Sequence, residues 1–157
     1  LKQYTEALPL AQNALDIAKQ TYGTSHPIVA NYLNTLAAIF YGLKQYAEAL
    51  HVAQRAVHIA KQTYGYEHAS TASYLFNLAT IYSKLGYQAK AQMLLKEAYL
   101  ISKLSQGLKH PFTKRVLKDY ASLLIQRNQQ KKLQELAVDR KAAFPELHEQ
   151  DFSRSTP

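Results

Sequence analysis

Three histidines, His26, His68 and His110, stand 42 residues apart. Histidine is the side chain suited to proton transfer near neutral pH and to metal ligation. The constant interval, however, puts each imidazole on a different copy of one recurring loop, so the three cannot converge on an ion. Their expected role is a hydrogen bond within the turn. His51 and His58 lie seven apart, which on a helix separates them by about 10.5 Å, too far for a shared metal. The chain has no Cys, which excludes thiol catalysis, thiolate-bound zinc, iron–sulfur clusters and disulfides. It also lacks a His-Glu-x-x-His pair, a phosphate-cradling glycine loop and a Gly-x-Ser-x-Gly elbow. Its 11 carboxylates are scattered among lysines. The expectation is a chain with no catalytic residue, no metal and no cofactor, hence not an enzyme.

Charge points to binding instead. The 157 residues carry a net charge of +8. Residues 1–78 hold five basic and four acidic side chains, whereas residues 79–157 hold fourteen and seven. Most of the excess lies between Lys84 and Lys132. Such a field favours an acidic partner, whether peptide, nucleic acid or membrane surface. Insertion into a membrane is not expected, because no apolar run approaches the roughly 20 residues needed to span one. Nor does LKQYTEALPLAQNAL read as a signal peptide, since polar residues interrupt it throughout. A cytoplasmic location is the reading that follows. The chain begins without Met and inside a periodic pattern, as a piece of a longer protein would.

The elements that must position these groups repeat. LKQYTEALPLAQNALDIAKQTYGTSH (1–26) recurs as LKQYAEALHVAQRAVHIAKQTYGYEH (43–68), and 24 of 42 positions agree between 1–42 and 43–84. The copy at 85–126 keeps 11 of 42, among them Ala89, Ala91, Ala98, Ile101, Gly107, His110, Leu117 and Ala121. A fourth, partial copy fades after Arg140. A fixed period of this length signals a stacked array. Leu33, Leu36, Ala37 and Phe40 fall on one helical face. So do Ala49, Leu50, Ala53, Ala56, Val57 and Ala60, whose small side chains let a neighbouring helix approach. Gly23, Gly65 and Gly107 suit helix ends with a left-handed C-cap, and Pro27 and Pro111 suit the starts that follow. The chain thus reads as all-α with about seven helices, near 3–21, 28–41, 45–63, 70–83, 87–104, 112–126 and 129–143.

These residues resemble the tetratricopeptide repeat pattern: Leu33, Leu36, Ala37 and Phe40, then Tyr46, Ala49 and Ala56. The second copy offers Leu75, Leu78, Ala79, Tyr82, Tyr87, Ala91 and Ala98, and the third Leu117, Tyr120, Ala121 and Leu124. The 42-residue period and the Gly-x-x-His-Pro loop (Gly23–Pro27, Gly107–Pro111) resemble the longer variant found in kinesin light chains. The resemblance implies a right-handed superhelical solenoid with a concave face lined by the first helix of each pair. Residues 1–143 divide into the second helix of a truncated repeat (1–27), repeats at 28–69 and 70–111, and a last repeat at 112–143 with a capping helix. Residues 144–157 read as a loose tail whose acidic, aromatic character resembles a ligand that could occupy the groove.

By helical spacing the groove presents Asn31, Asn34 and Tyr41, then Ser73, Asn77, Thr80 and Lys84, then Arg115, Lys118, Ser122 and Gln126. The face changes from amides and hydroxyls to cations. Asn side chains can pair with a peptide's own N–H and C=O, and Lys84, Arg115 and Lys118 would select carboxylates. Phe76 either packs between repeats or floors an apolar pocket. Tyr32, Tyr41, Tyr74 and Tyr99 could add flat contact area. One subclass of the family grips a C-terminal carboxylate with fixed Lys, Asn and Arg positions. Asn77 and Arg115 fit two of them, while Asn34 and Ala38 replace a Lys–Asn pair and Asp119 replaces an Arg. The resemblance to kinesin-light-chain grooves implies a short acidic segment with a hydrophobic anchor. The expectation is therefore a scaffold or adaptor module that binds an extended acidic peptide. The alternatives are structural self-association, including a homodimer, and association of the basic surface with nucleic acid. The last is disfavoured because the cations lie on several helix faces and no nucleic-acid module is recognisable.

Overall fold

A computed structural model describes residues 2–145. Eight helices follow one another: α1 (Lys2–Tyr22), α2 (Pro27–Gly42), α3 (Tyr46–Tyr64), α4 (Ala69–Lys84), α5 (Gln88–Gln106), α6 (Pro111–Gln126), α7 (Gln130–Glu135) and α8 (Ala137–Ala143). No strand occurs among the described residues. Each helix packs chiefly on its neighbours in sequence, α1 on α2, α2 on α3 and onward, as a solenoid requires. In addition α2 meets α4 directly, so the first helices of the first two pairs touch on the inner side of the solenoid, with α1, α3 and α5 on its outer side.

Alanine sets the spacing. Ala49, Ala60, Ala72, Ala79, Ala91 and Ala98 are all 0% exposed, and Leu33, Leu36, Leu75, Leu117 and Leu124 fill the spaces between them. Small side chains at these contacts allow close interhelical approach.

The turns repeat as faithfully as the helices. Inside each pair, Gln45, Tyr87 and Gln129 donate their N–H groups to the carbonyls of Phe40, Tyr82 and Leu124, each at 2.9 Å. The residue before each donor, Lys44, Gly86 or Asn128, has positive φ. These are Schellman-type helix ends, built at the same register by three different residues. Between pairs, the imidazole Nδ1 of His26, His68 and His110 accepts the N–H of Ile28, Ser70 and Phe112 at 3.2, 3.1 and 3.2 Å. Each histidine is the N-cap of the next helix. His26 and His68 also stack on Tyr22 and Tyr64. The preceding glycine differs from the expected left-handed cap: Gly65 has φ 85° and ψ 174°, and Gly107 has 82° and 164°. That region is essentially confined to glycine.

The last element departs from the expected single helix over 129–143. It breaks at Leu136, whose N–H turns back to the carbonyl of Leu133 at 3.2 Å. Leu133 and Arg140 occupy the positions that Ala91 and Ala98 hold one repeat earlier. A straight helix carrying those larger side chains could not lie as close to α6. The break instead tucks Leu136 and Ala143 into the core, 8% and 0% exposed. Phe144, read as the start of a loose tail, is half-buried beneath the Lys114 ammonium, 5.3 Å from its ring centroid. The remainder of that tail, 146–157, lies outside the described residues.

Asp139 ties α8 to α5. Lys103 Nζ donates to it at 2.7 Å, and the Tyr99 hydroxyl donates to the same oxygen. Burial raises the Asp139 pKa, but these hydrogen bonds and the Lys103 charge outweigh it and hold the carboxyl below its ordinary value. Burial, then the bond to and charge of Asp139, push the Tyr99 phenol far up, so it remains a donor. Tyr99 and Tyr74 are 2% and 5% exposed. Neither offers the contact area expected of it, because each hydroxyl is drawn to a partner one repeat away.

Three outcomes are expected. Ala49→Leu should overpack α3 and cost about 1–3 kcal/mol in denaturant unfolding. His68→Ala should cost about 1 kcal/mol as a lost cap, whereas His68→Asn, which retains an acceptor, should recover most of it. The folded pKa of Asp139 is lowered, so its contribution is complete above the unfolded value of 3.8 and is lost as pH falls through the lower folded value. Melting temperatures at pH 7 and pH 3 should therefore converge in Asp139→Asn, through a lower value at pH 7.

Candidate functional site

The inner side is built by α2, α4 and α6, and helical spacing decides what it shows. Asn31, Asn34 and Tyr41 share one face of α2, Ser73, Asn77, Thr80 and Lys84 one face of α4, and Arg115, Lys118, Ser122 and Gln126 one face of α6. The packing then treats these groups differently along the array.

At the α2–α4 end the amides meet each other. Asn77 Nδ2 donates to Asn34 Oδ1 at 2.9 Å, and the Tyr74 hydroxyl donates to Asn31 Oδ1. Burial, with a smaller contribution from Tyr64, pushes the Tyr74 phenol up to about 12, so that bond persists at any ordinary pH. Each Asn thus spends one of the four hydrogen bonds its amide can make on a contact within the fold, and keeps the others. Ser73 and Thr80 donate to the carbonyls of Ala69 and Phe76 on their own helix, at 3.4 and 3.0 Å. That leaves their oxygens able only to accept. Tyr41 packs edge-on against Tyr46 with centroids 5.5 Å apart, toward the turn and away from the other groups.

At the α4–α6 end a cleft of about 200 Å³ brings together Thr80, Lys84, Ser122 and Gln126 with Ser83 and Asp119, over a floor of Ala79, Leu95 and Leu123. Ser83 was not among the residues singled out from the sequence. Its signal was there, one turn beyond Thr80 and beside Lys84. Arg115 lies over the Phe76 ring at 5.1 Å, and Phe76 meets Phe112 edge-on at 5.7 Å. With only 4% exposure, Phe76 packs between repeats and is not a pocket floor. Its ring instead holds the Arg115 guanidinium in place by a cation–π contact. Lys84, Arg115 and Lys118 are exposed.

Asp119 is the one carboxylate in this cleft. It sits at the rim where solvent still reaches it, yet crowding by its neighbours raises its pKa, and the charges of Arg115 and Lys118 only partly offset that effect. The arrangement can donate and accept hydrogen bonds and present three cations. Among the described residues no group of three or more His, Asp or Glu side chains could hold a metal ion, and no described helix is long and apolar enough to cross a membrane.

The comparisons with known proteins bear on the fold. The tetratricopeptide repeat family profile matches residues 1–62 and again 34–103. No curated protein matches the chain. Among solved structures, the nearly identical TPR-like repeats of a kinesin light chain candidate from Podosopora anserina superpose with a TM-score of 0.82 at 24% identity, covering 98% of this chain and 73% of that one. A single-substitution variant of the same repeats gives the same score and identity over 92% and 68%. BtubC (BKLC) from P. vanneervenii gives 0.79 at 20% identity, covering 94% of this chain and 58% of that one. At such identities the likeness speaks for the fold, a solenoid of helix pairs. The profile match spans well over half of the sequence, and the chain belongs to the tetratricopeptide repeat family.

Proposed function

We propose that this module binds an extended acidic peptide along the inner side of the array, as a protein-interaction adaptor. The repeats at 28–69, 70–111 and 112–143 supply the face, with residues 130–143 as its terminal cap. The observation that carries the reading is the change along α2, α4 and α6 from paired amides to exposed cations. The remaining amide groups of Asn31, Asn34 and Asn77 hold a backbone without selecting side chains. Lys84, Arg115 and Lys118 then select carboxylates, with Ser122 and Gln126 supplying further polar contacts.

The cleft between α4 and α6 is smaller than the roughly 300–1,000 Å³ of a drug-sized site. It suits one side chain of the peptide, an aliphatic or aromatic anchor resting on Leu95 and Leu123. Arg115 is the best prepared of the cations, since Phe76 restrains it before any ligand arrives. Asp119 opposes a carboxylate placed beside it, so the acidic residues of the ligand fall on either side of the anchor and not opposite Asp119.

Fluorescence anisotropy with a labelled acidic peptide library, and a single-stranded oligonucleotide as control, tests this at low and moderate salt. Arg115→Glu with Lys118→Glu should weaken peptide binding by roughly ten- to hundredfold, about 1–3 kcal/mol, with helicity unchanged. Asp119→Asn should strengthen it. Equal affinity of the double variant, or equal and salt-labile binding of peptide and oligonucleotide, would remove the proposal.

A further inference from the structure

The outer side carries a second cleft, and the repeat itself shows how it arises. Where α3 and α5 run side by side, Lys61 pairs with Glu97 at 2.7 Å. One repeat later, where α5 meets α8, Lys103 pairs with Asp139 at 2.7 Å. Shifting the first of these pairs back by 42 residues gives Lys19 on α1 and Arg55 on α3, so the first seam sets two cations where the others hold an ion pair. Among the described residues no carboxylate pairs with Arg55, and Lys19 reaches only Asp16 on its own helix at 3.1 Å. That contact is on the surface, with 59% of the Asp16 side chain exposed, and such pairs hold little free energy.

A second substitution opens the same seam. Gln54 donates to the Tyr82 hydroxyl at 2.8 Å. The equivalents one repeat earlier are Gln12 and Phe40, and Phe40 has no hydroxyl to accept. The result is a cleft of about 530 Å³ between α1 and α3. Leu15, Leu36, Phe40 and Val52 line its floor, Lys19 and Arg55 stand at one end, and Gln12 and Glu48 at the other. The corresponding space near Tyr99 and Asp139, where Lys103 and Asp139 are paired, is about 230 Å³.

We infer that this outer cleft is a binding site for the free C-terminus of a partner protein ending in aliphatic residues. Three arguments define that occupant. A carboxylate between Lys19 and Arg55 supplies the negative charge that Glu97 and Asp139 supply at the other seams. Seven residues of helix separate Gln12 from Lys19, about 10.5 Å, which matches three residues of extended chain at roughly 3.3 Å each. The far end is polar: Glu48 and Gln12 can accept peptide N–H groups, whereas the tail of a simple fatty acid would strip their water without replacement. The site is separate from the inner face and does not rest on the peptide reading proposed for it.

Acetyl-Ala-Leu-Leu with a free carboxylate, titrated into the isotopically labelled chain by NMR, tests the inference against the same peptide as its C-terminal amide. Saturable shifts confined to the segments around Leu15–Lys19 and Val52–Arg55 are expected, with the amide at least tenfold weaker. Arg55→Glu places a carboxylate opposite Lys19, as at the other two seams, so it should abolish binding while keeping or raising the melting temperature. Arg55→Gln, which removes the charge alone, should weaken binding by a smaller factor. The Arg115→Glu, Lys118→Glu variant should bind acetyl-Ala-Leu-Leu as the parent chain does. Absence of saturation, equal affinity for the amide form, or unchanged binding in Arg55→Glu would each overturn the assignment.

Discussion

Close approach of helices at alanine is the constraint from which the other features follow. The positions that must be small, such as Ala49, Ala60, Ala91 and Ala98, are fully buried, and no larger side chain fits without moving a helix. The same constraint explains where the array changes character. Leu133 and Arg140 stand in two of those positions, and there the helix breaks at Leu136 into two short pieces. Regular stacking and its interruption are one rule met and then violated.

The two sides of the stack then differ in their polar chemistry. On the inner side α2 and α4 touch, so short side chains can bridge them, and Asn34 with Asn77 does so at 2.9 Å. On the outer side α3 is joined to α5, and α5 to α8, in another way. There the gap is spanned by long side chains, Lys61 to Glu97 and Lys103 to Asp139, each at 2.7 Å. Short amides thus bridge the inner side, and long ion pairs the outer side. An exchange that is harmless in composition, Arg55 for a carboxylate, therefore leaves the first outer seam without the ion pair that the other two hold.

How much of this was legible in the sequence depends on the distance over which each feature is decided. Helices, turns and the small-residue contacts were readable because they are written within one 42-residue period. The histidines were readable as structural, although the N-capping role of Nδ1 was not, since it depends on a backbone N–H only two residues away in a geometry that spacing does not reveal. Tyr74 and Tyr99 were misjudged because their rings lie in the core and their hydroxyls bond Asn31 and Asp139, 43 and 40 residues off. Phe76 could not be assigned between two roles until Phe112 and Arg115 were placed around it. The break at Leu136 was foreshadowed by Leu133 and Arg140, but the response of the chain to them was not.

The columns that vary between copies locate the face where selectivity can reside. Reading down the repeat, Ala49 and Ala91 do not change, nor do Ala56 and Ala98, because any change breaks the stack. The inner columns do change: Asn31, Ser73 and Arg115 are equivalent, as are Asn34, Phe76 and Lys118, and Thr35, Asn77 and Asp119. A scaffold whose contacts were the same in every copy could match only a ligand that repeats with the same rise. An ordinary peptide does not repeat, so each copy must differ where the ligand lies and agree where the helices meet. The variation on the inner face is thus the complement of the invariance in the core, as the proposed recognition of a non-repeating peptide requires.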